Sequence, residues 1–210
     1  MGKEGERQGL RERKKQATRA KLIDAAASLV GEQGYENTTV QQIADAVDVS
    51  PRTVAHYFPT KDRMLLAQVD AYAEAAAAEL ARVPTELSPL QALLAANVAL
   101  LDRATLAQTP AAARRIAILL RTLHVSPPLQ PLSTNTRSLA LVTEVARRMA
   151  TDPADRSVEL VFAVWSSIVM AGWSGVSDLY ASGQVDTAGL PAVLRQRLID
   201  TFDEFVALTE

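Results

Sequence analysis

The most constraining feature of this sequence is a pair of helix starts set too close together for the first helix to be long. Thr39 and Gln42 form a capping-box pattern, in which hydroxyl and amide each satisfy an orphan backbone donor. Ser50 followed by Pro51 is a second start, with serine as N-cap and proline at the first helical position. The first helix can last only about two turns. It ends in Val47-Asp48-Val49-Ser50, a turn in which Asp48 tolerates a left-handed backbone. The second ends near Phe58-Pro59, because proline disfavours helix in the residue before it. Val40, Ile43, Ala44 and Val47 make one inward face, and Val49, Val54 and Phe58 the other. Arg52, Thr53, His56 and Tyr57 are left pointing outward.

A longer helix is expected before this pair, over about 15–33. Ile23, Ala26, Ala27 and Val30 follow the spacing of one buried stripe. Gly34 sits where a helix end needs a left-handed residue. Two short helices joined by a tight turn and packed on a longer one make a helix-turn-helix. The outward residues suit a DNA groove: arginine forks onto guanine, threonine meets a thymine methyl or a phosphate, and histidine and tyrosine donate to base edges or phosphates. Taken singly, Arg52 as a solvated chain, His56 as a surface histidine and Tyr57 as half-buried packing are at least as good readings. Together, on one face, they favour DNA contact.

Charge points the same way. Residues 1–21 hold eight basic side chains against three acidic ones, whereas 64–210 hold eleven arginines against fifteen acids. A basic arm on an acidic body fits a polyanion partner at one end only.

The segment 15–66 resembles the DNA-binding domain of TetR-type bacterial regulators. The resemblance rests on Gly34-Tyr35, Thr38-Thr39-Val40, Ile43-Ala44, Val49-Ser50, Thr53-Val54 and Tyr57-Phe58-Pro59-Thr60-Lys61. Two positions depart from the family pattern: Asp48 stands where its turn carries glycine, and Ala55 where it carries a phosphate-touching tyrosine. The resemblance implies that Thr39 touches a phosphate and that Arg52, Thr53 and His56 face the groove. It implies that Tyr57 and Lys61 contact phosphates, with Arg13, Lys14, Lys15 and Arg19 adding contacts from the arm.

The rest of the chain reads as helices over about 60–82, 88–106, 109–124, 135–150, 152–181 and 188–209, with a proline-rich loop over 125–136 and no strand pattern. The expected fold is all-α, about nine helices. A flexible arm over 1–14 and a three-helix DNA-binding domain over 15–61 precede a helical effector-binding and dimerisation domain over 62–210. The helix over 152–181 is apolar around much of its circumference, which suits burial on more than one side. The resemblance implies a homodimer through the helices 152–181 and 188–209, and an effector pocket in the body. Candidate wall residues are Leu93, Leu101, Ile116, Leu120, Leu123, Leu139, Val142, Trp165, Ile168 and Trp173, with Asn97, Arg121, His124 and Asn135 as polar candidates; each is also readable as ordinary core or surface. The mostly apolar lining favours a small apolar or acyl-like effector.

The implied function is a ligand-responsive, DNA-binding transcriptional regulator, a repressor that binds a palindromic operator and is released by its effector. A helical-bundle enzyme is the first alternative. It lacks support: there is no cysteine, only His56 and His124 as histidines, no Glu-x-x-His pair and no glycine-rich phosphate loop. No cofactor is expected. A non-specific DNA binder is the second alternative, and the acidic body argues against it. The basic N-terminus lacks an apolar signal core and no apolar run reaches about 20 residues, so a cytoplasmic protein is expected.

Overall fold

The structure is a computed structural model and describes residues 3–106, 138–186 and 188–209. The expected helix 109–124 and loop 125–136 lie outside the described residues. Among the described residues every regular element is a helix. The chain divides into two compact units, the first running to Gln68 and the second beginning at Val69.

The first unit is built from α1 (Lys3–Gln33), α2 (Val40–Val47), α3 (Pro51–Tyr57) and the start of α4 (Lys61–Leu80). Its core follows the expected stripes. Leu22, Ile23, Ala26, Ala27 and Val30 from α1 are buried with Ile43, Ala44, Val54 and Phe58, and the run from Met64 to Ala67 closes the same core. The local signals act as their chemistry requires. Thr39 and Gln42 form both bonds of a capping box, and Asp48 closes α2 at φ 57°. Ser50 accepts from the Thr53 amide with Pro51 at the first position of α3, and Gly34 turns the chain at φ 85°.

α1 extends back to Lys3, where a flexible arm had been expected over 1–14. The segment is rich in Arg, Lys, Glu and Gln, which lose little rotamer freedom in a helix. Its glycines weaken helix by only about 1 kcal/mol each.

The second unit contains the rest of α4, α5 (Pro89–Leu106), α6 (Leu139–Arg148), α7 (Arg156–Trp173), α8 (Val176–Ala181) and α9 (Leu190–Thr209). α9 packs on both α5 and α7. Leu190, Leu194, Leu198 and Phe202 of α9 are buried, as are Ala92, Leu93, Ala96 and Leu101 of α5, and Val158, Phe162, Trp165 and Ile168 of α7. Buried Glu79 pairs with Arg82 at 2.6 Å and also with Arg103, tying α4 to α5. Arg195 pairs with Asp102 across α9 and α5. Arg148, at the end of α6, donates to the carbonyls of Val83 and Pro84.

The helix expected over 152–181 is two helices. Asp155, not Asp152, caps α7 by accepting from the Ser157 amide, while Asp152 bonds the Ala154 amide in the preceding turn. The chain then breaks after Trp173, where Gly175 adopts φ 72°. The stretch Arg156–Tyr180 is long and apolar enough to cross a membrane by length and composition. In this fold it is interrupted at that glycine, and Val158, Phe162, Trp165 and Ile168 are buried in the unit's own core.

Gly172 lies where α7 packs tightly against α9. A Cβ there would lie 3.1 Å from Thr201 Oγ1 and 3.2 Å from the Arg197 carbonyl oxygen. Gly172→Ala is expected to cost about 1–3 kcal/mol through overpacking, read as a lower urea midpoint. Adding Thr201→Ala should recover little of it, because the backbone contact remains.

Candidate functional site

The four side chains expected to face outward on α3 divide by exposure. Arg52 and His56 are exposed, and Thr53 and Tyr57 are partly covered. Val54, on the opposite side of the helix, is fully buried, and Phe58 nearly so. This division is set by the core: seven residues make two turns, and the apolar pair takes one side. Thr53 shares its hydroxyl with Ser50 at 2.8 Å, which holds the first turn of α3. The His56 and Tyr57 rings meet edge to face, with centroids 5.8 Å apart.

Thr39 is exposed at the start of α2, its hydroxyl engaged with Gln42. Lys15 and Arg19 are exposed on α1, with Arg13 and Lys14 beside them. The Arg19 guanidinium sits 5.0 Å over the Phe58 ring, a cation–π contact that joins α1 to the end of α3.

Lys61, expected to contact phosphate, makes its contacts within the domain. Its ammonium donates to the Tyr35 carbonyl at 2.6 Å and the Thr38 carbonyl at 2.9 Å. It also lies 3.8 Å over the Tyr35 ring. Two of its three protons are thus committed inside the domain, and the charge satisfies carbonyls of the turn between α1 and α2. Next to it, Asp62 accepts a hydrogen bond from the Tyr35 hydroxyl. Tyr35 is therefore gripped at its carbonyl, its ring and its hydroxyl by the first turn of α4. The sequence reading used Tyr35 only as part of a motif. The available signal was an aromatic directly after Gly34 together with a Lys-Asp pair opening the next helix.

Of the body candidates, Leu93, Asn97, Leu101, Trp165, Ile168 and Trp173 are all buried. Leu139 is 76% exposed and is not a wall residue in this fold. Val142 is partly covered. Ile116, Leu120, Arg121, Leu123, His124 and Asn135 lie outside the described residues. The sequence reading missed Tyr72 of α4, whose hydroxyl donates to Asn97 Oδ1 at 2.8 Å. It is the one aromatic in an Ala-rich helix, and that contrast was the signal. Asn97 in turn donates to the Leu93 carbonyl, and the Tyr72 ring meets Trp173 edge on. Among the described residues, no cluster of His, Asp or Glu could hold a metal ion.

Residues 22–67 match the family described as bacterial regulatory proteins, tetR family. The matched segment contains α2, α3 and the Lys61 contacts described above. The N-terminal segment of the chain is similar to that family's DNA-binding domain. The chain is 46% identical over 95 residues to the HTH-type transcriptional regulator TcmR of Streptomyces glaucescens, a match that covers 45% of this chain and 42% of that relative. It is 47% identical over 49 residues to the HTH-type transcriptional regulator BetI of Brucella canis, covering 23% and 25%. The matches thus span less than half of these relatives. Among solved structures, the fatty acid degradation regulator FadR from Bacillus halodurans aligns over 86% of this chain and 93% of its own, with 16% identity and a TM-score of 0.48.

Within the segment that matches this family, burial first and the bond to Asp62 second push the Tyr35 phenol up to about 12. A phenol whose folded pKa is raised contributes stability fully below its unfolded value of about 10, and loses it as pH rises through the folded value. The stability difference between wild type and Tyr35→Phe is therefore expected to be larger at pH 9 than at pH 12. Denaturant titrations at both values check this. An equal difference at both would show that the phenol titrates normally.

Proposed function

We propose that the chain is a transcriptional repressor that binds a palindromic operator as a homodimer and releases it when a small, largely apolar molecule enters the second unit. The observation that carries the DNA-binding part is α3. It is capped at its start, anchored by Val54 and Phe58, and leaves Arg52 and His56 exposed. In this reading Arg52, Thr53 and His56 face base edges in the major groove. Tyr57 and Thr39 contact phosphates, and Lys15 and Arg19 add backbone contacts from the side of α1. Lys61 acts by holding the turn before α2 and not by touching phosphate.

One short recognition helix reads few base pairs, whereas a two-fold pair reads two half-sites about one DNA turn apart. Exposed apolar side chains support a second copy: Leu160 and Met170 on α7, and Leu208 on α9. An acidic body argues against broad, non-specific binding. α4 runs unbroken from the Lys61 contacts to Tyr72 and Glu79. An effector preferring one arrangement of the second unit has, in that helix, a covalent route to the reading head. It acts only through different affinity for two states. Leu93, Asn97, Leu101, Trp165, Ile168 and Trp173 are the proposed contributors to that pocket.

Electrophoretic mobility shift with DNA flanking the chain's own coding region tests the reading; no sequence-specific shift at moderate salt would sink it. Arg52→Ala is expected to cost about 1–3 kcal/mol and to relax base preference. Lys15→Ala should weaken all sequences alike and reduce the salt slope by about 0.9. For the dimer, Leu160→Glu should shift sedimentation towards monomer and weaken operator binding with unchanged helicity. Wild-type sedimentation would rule against the α7 interface.

A further inference from the structure

The Trp173 side chain is 4% exposed, yet its indole N–H finds no acceptor among the described residues. A buried donor left unpaired costs about 1–3 kcal/mol, and native proteins leave few of them. The neighbouring polar groups do not help it. Tyr72 donates to Asn97 and Asn97 to the Leu93 carbonyl, and neither the Tyr72 nor the Asn97 oxygen takes the indole proton. The indole is nevertheless held firmly. Gly172 beside it sits tightly against α9, Arg197 donates to the Ser174 carbonyl at 2.7 Å, and the Tyr72 ring meets it edge on at 6.3 Å. A donor fixed in place without a partner is preorganised for an acceptor brought from outside.

The acceptor's chemistry follows from the surroundings. Arg197 is engaged with the Ser174 carbonyl, Glu79 pairs with Arg82 and Arg103, and Asp102 pairs with Arg195, so each of these guanidiniums already has a partner. A ligand carboxylate would gain no cation from these and would lose its hydration. We propose that Trp173 Nε1–H, between Tyr72 of α4 and the buried face of α5, is the hydrogen-bond donor of a binding site for neutral molecules carrying a carbonyl-type oxygen on an apolar body. This deepens the reading of the second unit as an effector-binding body and rests on it. The oxygen decides which apolar molecules are taken, because a hydrocarbon of the same shape leaves the indole unpaired. Tyr72 places the bound molecule against α4.

The full chain contains two tryptophans, so its spectrum of nitrogen-15-labelled indole groups holds two signals, assigned with Trp165→Phe. Three probes separate the terms: cyclohexanone, methylcyclohexane and cyclohexanecarboxylate. Cyclohexanone is expected to move the Trp173 indole proton downfield and saturably, at least tenfold more tightly than the other two probes. Trp173→Phe, which keeps a ring without the donor, should abolish the preference for ketone over hydrocarbon in thermal stabilisation. A Trp173 proton that cyclohexanone does not move overturns the proposal, as does one already bonded in the free protein, the sign of a bound water. Equal response to hydrocarbon or carboxylate overturns it too. Operator binding is scored separately by mobility shift. An indole response without a DNA shift rejects the repressor and keeps the site; a shift without an indole response does the reverse.

Discussion

The Lys61 ammonium, held between two backbone carbonyls and the face of Tyr35, is the contact on which the N-terminal unit turns. The chain between α1 and α2 is short and must present carbonyls that no helix satisfies. A charged donor meets two of them at once, and charge-assisted bonds are roughly twice as strong as neutral ones. Asp62 adds the Tyr35 hydroxyl to the same grip. The start of α4 is thereby registered against the start of α2. α3, caught between Ser50 and Phe58, inherits its orientation from both. Arg52 and His56 are exposed because everything beneath them is committed elsewhere.

The second unit is organised differently. Its longest helices pack around a core of aliphatic and aromatic side chains, and a few specific contacts within that apolar packing fix their mutual placement. Glu79 is a buried carboxylate, tolerable only because two guanidiniums meet it. Gly172 lets α7 and α9 approach to a distance at which a Cβ would crowd the Arg197 carbonyl. Within this packing the polar line from Leu93 through Asn97 to Tyr72 is satisfied, and the Trp173 indole finds no acceptor among the described residues. That contrast separates a contact that serves the fold from one that awaits a partner.

The first seventy residues were largely readable because their signals are local. Capping boxes, a proline after serine and a glycine at a helix end act within a few residues, and the structure shows each where its chemistry requires. The Lys61 contacts were not legible because a lysine looks the same whether it faces solvent or carbonyls 26 and 23 residues away along the chain. The body was less readable. One apolar run over 152–181 concealed a break at Gly175, since hydrophobicity alone does not say where a helix stops. Leu139 looked like a wall residue and is solvent-exposed, because an apolar side chain at a helix start carries no mark of which way the helix will roll.

What the amino-acid order determined alone is therefore the three helices before Lys61 from Lys15 onward, the caps of α2 and α3, and the split of α3 into a buried and an exposed side. These depend on backbone donors and apolar spacing within one or two turns. Which donors end up paired was decided only by tertiary contact. Tyr35 with Lys61 and Asp62, Tyr72 with Asn97, and the solitary indole of Trp173 all involve residues from distant parts of the chain. Their hydrogen bonds depend on where the helices come to rest, a choice made by the whole core at once.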